Sequence, residues 1–181
     1  MIVFITGGAK NGKSSLAQKV TLDLAQGGMH YYIATMIPCD EEDRERIRLH
    51  LLDRAGLGFE TLECGRDIAR CLEMGDPKGT FLLDSVTALL LNELFPDPTS
   101  CEMDMTAADR CRKGLEKLCD GAANLVFVSD YIYSDAAKYD DVTENYRKGL
   151  AQLDRFLAKR ADTVIEVSAA SLIFHKGGPS R

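Results

Sequence analysis

Apolar residues come along this chain in two rhythms. Short continuous runs at Ile2–Thr6, Tyr31–Ala34, Phe81–Leu83, Leu125–Val128 and Val164–Val167 have the length and composition of strands buried on both faces. Between them, Lys13–Gln26, Asp40–Asp53, Thr106–Cys119 and Val142–Arg160 read as helices. The last of these puts Val142, Tyr146, Leu150, Leu153 and Leu157 on one face. Thr106 is the expected cap of its helix, with Asp109 in the capping-box position. Strands alternating with helices predict βαβ units, a mainly parallel sheet and an α/β fold in three layers. A final run, Leu172–Phe174, is expected to turn back through Ser168–Ala170 as an edge hairpin. No repeat, low-complexity tract or linker divides the pattern, so one domain spanning 1–181 is expected, long enough to bury its own core.

The polar stretch between the first strand and the first helix changes the picture from fold to chemistry. Gly7-Gly8-Ala9-Lys10-Asn11-Gly12-Lys13-Ser14, followed by Ser15, fits G-x-x-x-x-G-K-[ST] in its proper strand-to-helix setting. Glycines there let backbone N–H groups close on phosphates, and the helix start adds its positive dipole end. Lys13 would reach the β- and γ-phosphates of a nucleoside triphosphate, GTP or ATP, and the Ser14 hydroxyl would ligate Mg2+. Such a loop also wants an acid at a neighbouring strand end to help hold the metal. "TFLLD" offers Asp84 and "LVFVSD" offers Asp130; Asp84 is preferred because the run before it is uniformly apolar, as in a buried central strand.

Charge narrows the partners. A net charge of −6 argues against binding to a nucleic-acid backbone. No apolar run approaches the roughly 18 residues of a spanning helix, and no basic segment precedes the first strand as in a secretory signal. The six cysteines form no CxxC pair and no zinc-like spacing, and Cys111 and Cys119 fit buried free thiols, which together suggest the reducing cytoplasm. In "CDEEDRERIRLHLLDR", His50 lies one turn after Arg46 on a helix that follows the second strand. Its start is therefore at the carboxyl edge of the sheet, where open α/β folds bind ligands. A neutral imidazole at that edge can attack phosphorus and form a phosphoramidate, although a lone histidine on a charged helix more commonly faces solvent. His30 and His175 carry no comparable context.

With "TGGAKNGKSSLAQ", "YYIATMIPCDEEDRERIRLH", "TLEC", "LLDSVTALLLNELF" and "ADTVIEVSA" in this order, the chain resembles the bifunctional adenosylcobinamide kinase/adenosylcobinamide-phosphate guanylyltransferases over nearly its whole length. The resemblance implies a P-loop (RecA-like) fold and two reactions in building the nucleotide loop of cobalamin. One phosphorylates the aminopropanol hydroxyl of adenosylcobinamide, a corrinoid; the other transfers GMP from GTP to that phosphate. It implies that His50 carries the guanylyl group, that Asp84 is the acidic strand-end residue, and that Arg54 and Glu63 belong to the nucleotide site. It also implies a small ring-like homo-oligomer, a trimer. The chain departs from the family after the strand at 125–128. Asp130-Tyr131-Ile132-Tyr133-Ser134-Asp135 stands for N-E-V-G and G-I-V-P, Tyr146-Arg147-Lys148 for F-R-D, and Ala151-Gln152-Leu153-Asp154-Arg155 for G-x-x-N-Q. Ala169-Ala170 stands where the family turns through glycine. Two other readings compete: a P-loop kinase of another small molecule without the transferase step, and a nucleotide-dependent regulatory module. The second lacks the guanine-reading N-K-x-D.

Overall fold

The computed structural model describes residues 1–97, 100, 102–133, 136–169 and 171–178. Ser134, Asp135, Ala170 and Cys101 lie outside them. Among the described residues, seven strands form one sheet in the order β3-β2-β4-β5-β1-β6-β7. They are β1 (Ile2–Gly7), β2 (His30–Ala34), β3 (Glu60–Glu63), β4 (Thr80–Asp84), β5 (Asn124–Asp130), β6 (Thr163–Ser168) and β7 (Ser171–Lys176). All neighbours pair in parallel except β6 and β7, which make the expected antiparallel edge hairpin.

Alternation along the strands builds the three layers. Val3, Ile5, Leu82, Val126, Val128 and Ile165 project to one face and pack with α1 (Lys13–Ala25). Phe4, Ile33, Phe81, Leu83, Leu125 and Phe127 project to the other. There they meet α4 (Val86–Leu94), α5 (Ala107–Gly121) and α6 (Asp141–Arg160). A 3-10 turn (Ile68–Arg70) and the short α3 (Cys71–Met74) complete that layer. The helix after β2, α2 (Glu41–Asp53), is different in kind: none of its residues is buried.

Periodicity does not reveal β3, α3 or α4. In β3 only Leu62 is buried, so no apolar run marks this edge strand. The sequence of α4, VTALLLNEL, is apolar with little interruption and hides the helical period. It folds as a helix after Ser85, whose Oγ accepts from Ala88 N at 3.2 Å. Two local expectations fail. Thr106 makes no side-chain cap; its hydroxyl donates to Asp104 Oδ1 at 2.7 Å, which also binds its backbone N–H, so no capping box forms with Asp109. Val142, in the first turn of α6, is exposed because that turn extends past the core, while Leu150, Leu153 and Leu157 are fully buried. Cys111 and Cys119 are buried free thiols, as are Cys64 and Cys71.

Where α6 packs beside the end of β5, a carboxyl group is sealed inside. Asp154 is 4% exposed, and its Oδ2 accepts from the Tyr133 hydroxyl at 2.8 Å. Burial pushes the Asp154 carboxyl up to about 6, against the opposite pull of the Ser129 and Tyr133 hydroxyls. The folded chain thus holds this proton more tightly than the unfolded chain, and stability falls as pH rises from the ordinary carboxylate range through about 6. Asp154→Asn keeps an acceptor for Tyr133 and removes the charge. It is expected to stabilise the protein by about 3 kcal/mol above pH 7 and by almost nothing below pH 4. Denaturant melts of both proteins across that range test this, and a gain independent of pH would contradict it.

Candidate active site

Between β1 and α1 the chain must turn within five residues. Gly7 has φ 157° and Gly12 φ 89°, and Lys10 is left-handed at φ 56°. A Cβ on Gly7 would collide with the Asn11 side chain and the Val167 carbonyl, which are themselves hydrogen-bonded. The loop therefore closes tightly against β6, with α1 starting at Lys13. Lys13 is 5% exposed. Its Nζ donates to Gly8 O at 2.6 Å and Asn11 Oδ1 at 3.3 Å, and pairs with Asp130 Oδ1 at 2.7 Å.

A cleft of about 690 Å3 opens over this loop. Ala9, Lys10, Asn11, Gly12, Lys13, Ser14 and Ser15 form one wall, and α2 forms the opposite wall through Glu42, Glu45, Arg46, Leu49, His50 and Asp53. Asp84 and Asp130 close the floor from the ends of β4 and β5. Beyond His50 lies a second cavity of about 650 Å3, more apolar, lined by Ile37, Pro38, Ile47 and Leu51 with Arg44, Arg54 and Glu63. Met36, His50, Asp84 and Ser85 line both spaces and so mark their border. The Nδ1 of His50 is buried without a hydrogen-bond partner among the described residues.

The expected site residues thus divide. Those from Ala9 to Ser15, with His50 and Asp84, face the P-loop cleft, while Gly7 shapes the backbone beneath it and the Gly8 carbonyl accepts from Lys13. Arg54 and Glu63 line only the second cavity.

Three residues that motif reading overlooked hold the border together. The hydroxyl of Tyr32, in β2, donates to Asp84 Oδ2 at 3.0 Å. Burial, then the Asp84 charge, holds that phenol above its ordinary range, so it remains a donor. Thr35 Oγ1 accepts from Ser85 N at 2.7 Å and donates to Ser85 O at 2.9 Å, tying the end of β2 to that of β4. Asn92 of α4 donates to Thr35 O at 2.6 Å and Gly65 O at 2.9 Å. For Tyr32 and Thr35 the sequence signal was a polar residue inside or just past an otherwise apolar strand, and for Asn92 a polar residue in the apolar run VTALLLNEL.

Held by no core contact, α2 rests on local interactions and one clamp. Asp40 caps it through Asp43 N at 2.8 Å, and Arg44–Glu41 and Arg48–Glu45 pair along its surface. Exposed pairs of this kind are worth a few tenths of a kcal/mol each. At its carboxyl end Arg54 is 7% exposed, with its guanidinium 3.8 Å from the centroid of the Tyr32 ring. From there it donates to His50 O at 3.1 Å and reaches Thr61 Oγ1 at 3.5 Å. This clamp fixes the turn that carries His50. Arg54→Ala is expected to accelerate amide exchange across residues 41–53 by about tenfold, the scale of a buried cation–π contact. Arg54→Lys is expected not to restore protection, because an ammonium lacks the planar fork. Exchange unchanged from the parent in Arg54→Ala would refute the clamp.

Comparison with known proteins agrees with this architecture. The family model for cobinamide kinase / cobinamide phosphate guanyltransferase matches residues 3–172. The chain is 27% identical over 175 residues to the bifunctional adenosylcobalamin biosynthesis protein CobU of Salmonella typhimurium, covering 91% of this chain and 93% of that one. Among solved structures, the flagellar accessory protein FlaH from Methanocaldococcus jannaschii matches at TM-score 0.52 and 13% identity, over 99% of this chain and 81% of that one. A second solved structure, an ATPase domain, matches at TM-score 0.52 and 9% identity, over 97% and 76%. These two likenesses support the three-layer RecA-like fold. By its family match, the chain belongs to the cobinamide kinase / cobinamide phosphate guanyltransferase family.

Proposed function

We propose that this chain carries out both reactions of its family. It phosphorylates the aminopropanol hydroxyl of adenosylcobinamide and then transfers GMP from GTP to the resulting phosphate through a guanylated His50. The observation that carries this reading is the position of His50 on the border between the P-loop cleft and the second cavity. A nucleophile there has the triphosphate on one side and room for an acceptor on the other.

In the transfer, a ring nitrogen of neutral His50 donates its lone pair to the α-phosphorus of GTP. The N–P bond forms as the bond to the bridging oxygen breaks, and pyrophosphate leaves on the P-loop side. An oxygen of the corrinoid phosphate then attacks the same phosphorus. The N–P bond breaks, and its electron pair returns to the imidazole. In both reactions Lys13 and the N–H groups of the loop stabilise charge on the phosphates.

Ser14 and Asp84 are suited to Mg2+, with a hydroxyl at the helix start and a carboxylate whose Oδ1 has no hydrogen-bond partner among the described residues. Bound there, the ion would offset phosphate charge. Tyr32 would hold the Asp84 carboxylate in one orientation for it.

GTP labelled at the α-phosphate tests the reading directly. The parent protein is expected to acquire acid-labile label, and His50→Ala to acquire none while still phosphorylating adenosylcobinamide. Label that persists in His50→Ala would remove the histidine from the mechanism. Lys13→Ala is expected to lower both activities by about a hundredfold or more, the usual cost of a transition-state charge donor.

We further propose a homo-oligomer assembled through β7, whose Leu172, Ile173 and Phe174 are exposed on an edge strand. Light scattering is expected to give a multiple of the chain mass for the parent and a smaller mass for Phe174→Asp. A monomeric parent would refute the assembly.

A further inference from the structure

The two carboxylates on the floor of the cleft have different partners. Asp84 is bound by a neutral phenol, whereas Asp130 is paired with the loop lysine. A lysine ammonium has three N–H donors. Those of Lys13 meet three acceptors: Gly8 O, Asn11 Oδ1 and Asp130 Oδ1. The first two belong to the loop itself, and only Asp130 carries charge. Asp130 has little freedom to follow the lysine. Its backbone N–H donates to Thr87 Oγ1 at 2.9 Å, and it lies opposite Gly7 in the β1–β5 register. A phosphate oxygen therefore reaches Lys13 by exchange, taking the place of an acceptor that already holds a full negative charge.

We infer that Asp130 is a positioning residue that competes with the nucleotide's phosphates for Lys13, and that it is not a metal ligand. The inference rests on reading the loop as a triphosphate cradle. Pairing with Asp130 keeps a nearly buried cation satisfied and pointed into the cleft. Its cost is lower affinity, because the lysine's charge is already partly spent and the remaining carboxylate repels the incoming anion. Asp84 is left as the carboxylate open to metal, so the two acids do separate work.

The sign of the effect is the test. Asp130→Asn keeps the shape and an acceptor oxygen but removes the charge. Calorimetry with inorganic triphosphate in the absence of metal is expected to show it binding about tenfold tighter than to the parent. The Mg2+ concentration that half-saturates GTP binding is expected to stay within about twofold of the parent's, whereas Asp84→Asn should raise it about tenfold. Unchanged or weaker triphosphate binding in Asp130→Asn, or a tenfold greater Mg2+ requirement, overturns the inference and leaves the loop reading standing. Failure of the parent itself to bind triphosphate overturns both.

A second measurement needs no variant. The 1H–15N ammonium signal of Lys13 in the parent protein is expected to be protected from solvent exchange and to shift when inorganic triphosphate is added. A Lys13 signal as exchange-broadened as those of the surface lysines would also sink the pairing.

Discussion

Where β1 ends, the side chain of Asn11 and the carbonyl of Val167 occupy the space that a side chain at residue 7 would need. The bond between them draws the loop down against β6 and delivers Lys13 to the start of α1 beside Asp130. Any Cβ at Gly7 would separate them, so the arrangement of the whole carboxyl edge follows from one missing methyl group. The sheet order then does the rest. With β5 between β4 and β1, the two acids sit on adjacent strands, one next to the loop and one a strand farther away. Distance from the loop, rather than residue type, gives them unlike partners.

The molecule combines two mechanical regimes. The sheet, with α1 on one face and α4, α5 and α6 on the other, is packed through fully buried aliphatic and aromatic side chains. Its element ends are tied by Thr35, Asn92 and the buried Glu93, which accepts from Asp67 N at 2.8 Å and Arg110 Nε at 2.9 Å. The helix carrying His50 has no share in that core and depends on a cap, surface ion pairs and Arg54. A helix of this length is marginal by itself in water. Few buried contacts make it the element expected to open most easily, which suits the role proposed for His50, a nucleophile that would meet two partners in turn.

How much of this was legible depended on whether one interaction or many decided a feature. The P-loop was readable because its backbone demands a fixed spacing of glycines and a lysine. The buried strands were readable because they are continuous apolar runs. In α4 the exposed Leu91 and half-buried Ala88 add apolar residues to the outer face and blur the periodicity of the buried one, and in β3 an edge position left one buried leucine. The side chain of Thr106 chose Asp104 over its own helix, and local pattern could not rank the two. The partner of Lys13 was beyond pattern altogether, since Asp130 lies 117 residues away in sequence and is adjacent only through the β1–β5 register. Nor could spacing show that Tyr32 would stand between Arg54 and Asp84.

That no residue of α2 is fully buried also bears on how such a protein can change over generations. Replacing a core residue usually costs stability, and proteins have little to spare. Along α2 that cost is largely absent. The residues from Glu42 to Leu51 that face the two cavities can be exchanged while the sheet and its packed helices fold as before. The wall of the site is thereby released from the selection that preserves the scaffold, and the shape and charge of the two cavities can drift with little risk to folding.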